Sequence, residues 1–380
     1  MRHGIVEISV FDAMYRFDNI HDREVRRSED KLAPIQNLFE QFVNRCQQNY
    51  IVGPDTTIDE MLEGFRGRCG FRQYIKSKPA RYGIKIFSLA DAHNYYTLNM
   101  EVYVGTQPEG AFRLDNSASS VVKRLVKPIV QSGRNVTMDN WFTSINLVQD
   151  LLKDNLTVVG TVRKNKRELP PEFINSKSRE VNSTIFGFTN TATLLSYVPK
   201  KGKTVLLISS MHHKGEVDDT ENKKPNIILY YNTTKGGVDK VDEMKGSYSV
   251  SRKTARWPLT IFFSIMNIGG INSRVIFESN KKANLSRREF LRTLSKELCI
   301  EHMHRRLKMD ISLKIRNSIR NVLQISDQPT ARASNVVGRC EYCSSKKNRK
   351  TTTKCVTCSR YICKEHRVDV CLSCIGTEDE

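Results

Sequence analysis

The chain has 380 residues and a mass of 43.6 kDa, with 39% hydrophobic and 27% charged residues, which is enough for two or three packed domains and too apolar for a disordered polypeptide. Lys and Arg number 61 against 41 Asp and Glu, a net charge of +20 and a pI near 9.5; such an excess favours a polyanion, nucleic acid first, because each neutralised phosphate releases condensed counterions. The longest apolar stretch, Leu259 to Ile271, is broken by Thr260, Ser264, Asn267 and two glycines and falls short of the ~18 residues a span requires, so no membrane segment is expected.

Met1-Arg2-His3-Gly4 leads into acidic and polar residues rather than an apolar core, so no secretory signal is expected and the protein is expected to be intracellular. From Asp30 to Tyr50, Leu32, Ile35, Leu38, Phe39, Phe42 and Val43 recur at helical spacing and predict an amphipathic helix. After Thr57-Ile58-Asp59-Glu60, the alternation in Tyr82 to Leu89 and Tyr95 to Tyr103 predicts a three-strand meander. Between Gly64 and Lys85 there are seven basic residues and no acidic one; Arg66, Arg68 and Arg72 are candidate phosphate contacts, or else a solvated basic face.

Next come a helix over Ser119 to Val130, a strand over Asn135 to Asp139, a helix over Ser144 to Lys153 and a strand over Leu156 to Val162. Strands alternating with helices predict a mixed α/β sheet. A β-rich stretch follows, with Thr193 to Val198 and Thr204 to Ser209 as its clearest strands, and Asn226 to Tyr231 reads as one more strand. Gly236 and Gly237 suit a turn feeding a helix on which Asp239 and Asp242, three apart, share one face that can hold a cation.

The segment from Ser251 to Ile325 carries sixteen Lys/Arg and five Asp/Glu, a balance of +11. Trp257 precedes Pro258, which biases it towards extended backbone in a loop ahead of an apolar helix. Beside Arg252, Lys253 and Arg256 it is a candidate for stacking on an unpaired base, with a buried structural role as the alternative. Trp141, two residues after Asp139, is expected in the core.

Composition shifts near 326–339, a linker, and seven of the ten cysteines follow it. Cys340-x2-Cys343, Cys355-x2-Cys358, Cys363-x2-His366 and Cys371-x2-Cys374 make four pairs, enough for two tetrahedral Zn2+ ions. Spacing does not settle which pairs share an ion; the expected pairing is interleaved, first pair with third and second with fourth, because it resembles the cross-brace arrangement of RING- and PHD-type domains. A segment this short needs the metal for its folding energy.

Several motifs together resemble the piggyBac transposase family and proteins derived from it. They are Thr57-Ile58-Asp59-Glu60 with Gly64-Phe65-Arg66-Gly67-Arg68, Asp139-Asn140-Trp141-Phe142-Thr143-Ser144, Val159-Gly160-Thr161-Val162-Arg163, Tyr230-Tyr231-Asn232-x-Thr234-Lys235-Gly236-Gly237-Val238-Asp239-x-x-Asp242, and Arg252-Lys253-Thr254-x-Arg256-Trp257-Pro258. The likeness runs from about Phe17 to the end of the cysteine-rich tail.

The resemblance implies an α/β ribonuclease-H-like catalytic core at 51–165 and 223–249, interrupted by a β-rich insertion at 166–222. Helical DNA-binding and dimerisation segments at 1–50 and 250–326 flank it, and a linker at 327–339 leads to the zinc-binding domain at 340–374. It implies cut-and-paste transposition of double-stranded DNA: terminal inverted repeats are bound, hairpin intermediates form, and the element joins at TTAA targets. Asp59, Asp139, Asp239 and Asp242 carry over as the catalytic carboxylates for two Mg2+ (or Mn2+) ions, with Asp59 bridging both, Asp139 on one, and Asp239 with Asp242 on the other. Lys346, Lys347, Arg349 and Lys350 in the tail are expected on DNA phosphate, or in a nuclear import signal. A homodimer and a nuclear location are expected. The family's longer N-terminal portion has no match in the first ten or so residues, which leaves two functions open: an active transposase, or a catalytically silent, element-derived DNA-binding protein.

Overall fold

The computed structural model describes residues 15–175, 177–281, 285–325, 337–355 and 360–368. It divides into two compact units, residues 1–284 and 285–380.

Two short helices open the first unit, α1 (Arg23–Glu29) and α2 (Gln36–Asn49). Strands β1 (Asp55–Gly64), β2 (Gln73–Tyr74), β3 (Tyr82–Asp91) and β4 (Thr97–Val102) come next. Then follow α3 (Ala118–Val126), β5 (Asn135–Met138), α4 (Ile145–Lys153) and β6 (Thr157–Thr161). The short α5 (Pro171–Ile174) precedes β7 (Thr184–Phe188), β8 (Thr193–Lys200) and β9 (Lys203–Ser209). Three helices close the unit: α6 (Asn226–Thr234), α7 (Gly237–Ser247) and α8 (Trp257–Lys281).

All nine strands form one mixed sheet of order β2-β3-β1-β5-β6-β9-β8-β7, with β4 also on the outer edge of β3. The expected meander is β1, β3 and β4, paired antiparallel. Beyond it β5 and β6 run parallel to β1, and β9 then pairs antiparallel with β6, so the β-rich stretch extends the same sheet.

Alternation along the strands divides the core between the two faces. On one face Ile58, Phe87, Val136, Met138 and Val158 pack under Val121, Leu125, Leu147 and Leu151 of α3 and α4. Both helices begin on a serine, Ser117 and Ser144, whose hydroxyl accepts a first-turn N–H. On the other face Met61, Ile84, Ile86 and Met100 pack under Phe39 of α2, Val238 and Val241 of α7, and Ile261, Ile265 and Ile268 of α8.

The expected helix over Asp30 to Tyr50 begins at Gln36, since Asp30 turns the chain by accepting the Leu32 N–H at 2.8 Å. Asn226 to Tyr231, read from sequence as a strand, is helix α6. Its run of Ile, Ile, Leu, Tyr and Tyr suits a buried strand equally well, but Pro225 starts a helical turn whose first carbonyl accepts from Leu229 N at 3.2 Å. Ile227 and Ile228 then bury against Val159, Leu195 and Leu207 of the sheet. Trp257 is the first residue of α8 rather than part of a loop.

Helix α8 runs for 25 residues, long and apolar enough by those measures to cross a membrane. Its polar groups instead find partners inside the unit. Asn272 accepts from Thr97 N and donates to Thr97 O, both at 2.9 Å, Asn267 accepts from Val250 N at 2.9 Å, and Ser264 donates to Glu63 at 2.7 Å. It is a core helix.

The second unit holds α9 (Arg287–Leu307) and α10 (Leu313–Leu323), then a two-stranded hairpin of β10 (Gly338–Arg339) and β11 (Lys350–Thr351). Ser286 and Glu289 close a capping box on α9. The linker expected at 327–339 lies mostly outside the described residues.

Candidate functional site

The parallel pairing of β1 with β5 sets Thr57 beside Thr137 and Ile58 beside Met138. Carried one residue further, this register brings Asp59 next to Asp139, both on the face that α7 covers. Threonines fix α7's approach: Thr57 Oγ1 donates to the Thr234 carbonyl, and the Thr137 and Thr234 hydroxyls meet at 2.8 Å. Gly237 then starts α7 directly on β1, where a Cβ would stand 2.8 Å from Thr57 Oγ1. From that start Asp239 and Asp242 fall on the side facing Asp59. Asp59 and Asp242, the outermost of these four carboxylates, stand 183 positions apart in sequence, and the approach of α7 to β1 and β5 brings all four to one side of the sheet.

Their electrostatics show unmet negative charge. Burial, reinforced by the Glu60 charge, pushes Asp59 up to about 8. Burial also raises Asp139, against hydrogen bonds from Trp141 N and Phe142 N, and raises Asp242 despite the Lys245 ammonium. Hard oxygen donors under such strain suit a divalent cation. No three of these oxygens lie within 4.8 Å of one another, a distance that among the described residues only a Cys/His set satisfies.

Cations that sequence reading passed over stand in between. Lys78, in the β2–β3 loop, places Nζ 3.2 Å from Asp239 Oδ1 and 3.9 Å from Asp242 Oδ2. Burial opposes its charge, yet Asp239, Asp59 and Asp242 together hold it above the ordinary lysine range. Lys245, buried on α7, donates to Asp242 Oδ1 at 2.8 Å and to Glu63. Lys85 on β3 lies 4.6 Å over the Phe87 ring and 4.7 Å over that of Trp141; burial pulls it down, with Glu60, Asp139 and Asp59 opposing. Trp141 itself is partly buried, stacked on Phe87 at 5.3 Å, so it is at once core and floor of the site. The sequence signal for Lys78 and Lys85 is the acid-free run from Gly64 to Lys85; Lys245 lies outside it.

Around the carboxylates the basic candidates sort differently. Arg66, Arg252 and Lys253 line one groove of about 920 Å³ with Phe65, Tyr82 and Phe263, which unites two segments nearly 190 residues apart. Arg68 is exposed at the same turn. Arg72 is spent locally, donating to the carbonyls of Arg66 and Gly67 at 3.0 and 2.9 Å and lying over Tyr82. Arg256 donates to the Tyr15 carbonyl at 2.5 Å and lines a smaller pocket with Arg23, Arg27 and Trp257. Trp257 meets Phe71 edge-on at 5.0 Å and packs on the core, the structural side of the two roles expected for it.

In the second unit Cys340, Cys343, Cys363 and His366 bring one ligand atom each within 4.8 Å of the others. This is the first pair with the third. Cys343 Sγ lies 3.7 Å from Cys363 Sγ, and His366 Nδ1 lies 3.6, 3.6 and 3.4 Å from Cys340, Cys343 and Cys363. A tetrahedron with Zn–S bonds of ~2.3 Å has edges of ~3.8 Å, so the donor set fits Zn2+. Against the cost of burial, N–H groups of Cys363 and Tyr342 and the His366 ring draw Cys340 down to about 6, towards the thiolate a metal needs. Cys355 is described, whereas Cys358, Cys371 and Cys374 lie outside the described residues. Lys346, Lys347, Arg349 and Lys350 are all exposed on this hairpin, with Arg349 paired to Glu365 and Lys347 4.0 Å from it.

The chain belongs to a known class: a family model described as Transposase IS4 matches residues 11–274. The chain is 40% identical to the protein in a cryo-EM structure of a piggyBac transposase synaptic complex with hairpin DNA, with a TM-score of 0.79 over 94% of this chain and 77% of that one. It is 24% identical over 270 residues to human PiggyBac transposable element-derived protein 3, covering 66% of this chain and 45% of that protein. Human PiggyBac transposable element-derived protein 2 is 20% identical over 265 residues, 65% of this chain and 44% of that protein. The chain spans less than half the length of these curated relatives. It belongs to the piggyBac transposase family.

Proposed function

We propose that the chain is a metal-dependent DNA transposase that cuts and joins strands at Asp59, Asp139, Asp239 and Asp242. The observation that carries this reading is the convergence of β1, β5 and α7, which gathers four carboxylates with three of them raised by burial. The sheet order β4-β3-β1-β5-β6, an antiparallel meander followed by two parallel strands, supports reading the core as ribonuclease-H-like with residues 166–222 inserted. Two bound Mg2+ or Mn2+ ions would supply charge neutralisation at the attacking and leaving oxygens of an in-line phosphoryl displacement. Of the chain's own residues, the carboxylates hold that charge, Trp141 and Lys85 form the floor, and the groove of Arg66, Arg252 and Lys253 takes the phosphate backbone. In the tail, Zn2+ would order the hairpin that presents Lys346 and Lys350, with a second ion held by Cys355, Cys358, Cys371 and Cys374.

Likeness to a transposase in a synaptic complex with hairpin DNA supports paired DNA ends and hairpin intermediates; a homodimer, terminal repeats with TTAA targets and action in the nucleus complete the proposal. A second reading, a catalytically silent DNA-binding protein, is favoured by the human relatives, which are named as element-derived proteins. Mg2+- or Mn2+-dependent cleavage of a labelled duplex carrying terminal repeats flanked by TTAA, with Asp239→Ala alongside, decides between them. Cleavage and hairpins lost in the variant establish the transposase. Tight binding without cleavage establishes the silent protein.

A further inference from the structure

Asp242 has its two oxygens committed unequally. Oδ1 accepts from Lys245 at 2.8 Å, and that ammonium is buried, gripped also by Glu63 of β1 and 3.2 Å from Met61 Sδ. Glu63 is in turn held by Ser264 of α8 at 2.7 Å. Three elements therefore fix Lys245, and the Asp242 oxygen left for any other cation is Oδ2. On Asp239 the engaged oxygen is Oδ1. These are the two atoms that Lys78 faces, at 3.9 and 3.2 Å.

The attachment of Lys78 is of another kind. It sits in the loop 75–81, closed at its base by Ile75 N to Arg81 O at 2.8 Å and braced within by Lys78 N to Ile75 O at 3.2 Å and Arg81 N to Lys78 O at 3.0 Å. No residue of that loop is buried, and Lys76, Ser77 and Pro79 are exposed, whereas the Lys78 side chain is turned inward with 16% of it exposed. A loop without a core anchor moves at small cost, so Lys78 can leave where Lys245 cannot.

We infer that Lys78 is a built-in counter-ion of this site: its ammonium holds the place between Asp239 and Asp242 that a divalent cation takes, and the cation binds by displacing it. The inference rests on the metal-site reading above. It makes the metal-free site a closed ion pair rather than a set of repelling carboxylates, and it weakens divalent binding by the fraction of molecules with Lys78 seated. Asp242 joins the cation through Oδ2 alone.

The experiment is Mn2+ titration of the full chain without DNA, by calorimetry and by the electron paramagnetic resonance of free Mn2+. Lys78→Met and Lys78→Gln are compared with the wild type and with Lys76→Met, an exposed neighbour in the same loop. Both Lys78 variants should bind Mn2+ about tenfold more tightly at unchanged stoichiometry, with a lower melting temperature in the metal-free form, and Lys76→Met should match the wild type. Unchanged or weaker Mn2+ affinity in both Lys78 variants overturns the inference and leaves the metal site standing. Absence of saturable Mn2+ binding in every protein overturns the metal site and the inference with it.

Discussion

A methyl group on Gly160 would overlap the hydroxyl of Thr143. That hydroxyl donates to the Asp139 carbonyl at 2.8 Å, as does Thr143 N at 3.2 Å, so β6 packs directly on the turn that aims Asp139. Gly160→Ala should therefore cost about 1–3 kcal/mol by overpacking. It should also displace the Asp139 turn and lower metal-dependent cleavage beyond what the stability loss explains. Denaturant unfolding alongside cleavage rates checks this; a variant of full activity and stability would show that the turn adapts freely.

Asp59 gives a pH signature. Its carboxyl is pushed from 3.8 to about 8 in the folded chain, so the folded state holds a proton that the unfolded state has released. The stability this contributes is complete below about pH 4 and is lost as pH rises towards 8. Asp59→Asn mimics the protonated form, so without metal it should melt with the wild type at pH 4 and progressively above it by pH 8. Added Mn2+ should close that gap at pH 8 by stabilising only the wild type. Parallel melting curves at every pH would remove the assignment of this shift to Asp59.

Lys245 ties α7 to β1 through a buried pair with Glu63 and Asp242. Lys245→Met keeps the stem but strands two carboxylates, a loss of about 3–5 kcal/mol. Glu63→Gln in the same chain should return part of that loss, giving a coupling that a double-mutant cycle on chemical unfolding measures. Simple additivity would mean that the pair contributes nothing.

The cysteine-rich tail should hold two zinc ions. Cys340→Ser with Cys343→Ser should remove one of them and leave the other, read as zinc per chain by native mass spectrometry. Loss of both ions at once would mean that the two sites fold as a unit.

Much of the site was legible because chemistry is written in short motifs. Asp239 and Asp242 sit three apart on a helix, and the alternation of Asn135-Val136-Thr137-Met138 ahead of Asp139 marks a strand; Asp59 lies in a run without clean alternation, where the short motif rather than the period identified it. Ligand spacing gave the cysteines and histidine but not which pairs share an ion; the likeness to a cross-brace arrangement suggested the interleaved pairing, and the fold brings Cys340 and Cys343 to Cys363 and His366. Asn226 to Tyr231 misled because a continuous apolar run carries no period, and the choice between strand and helix fell to Pro225 and to the sheet face that α6 covers.

Sequence by itself determined which residues carry charge, sulfur and apolar surface and at what local spacing, since helix and strand periods are properties of the backbone. Tertiary structure alone decided that Lys78 and Lys245 divide the two oxygens of Asp242, and that Arg66 shares a groove with Arg252 and Lys253. Lys245 lies one helical turn from Asp242, but Lys78 and Asp242, like Arg66 and Arg252, are more than a hundred positions apart, and they meet only once burial of the two core faces has fixed where β1, α7 and α8 lie.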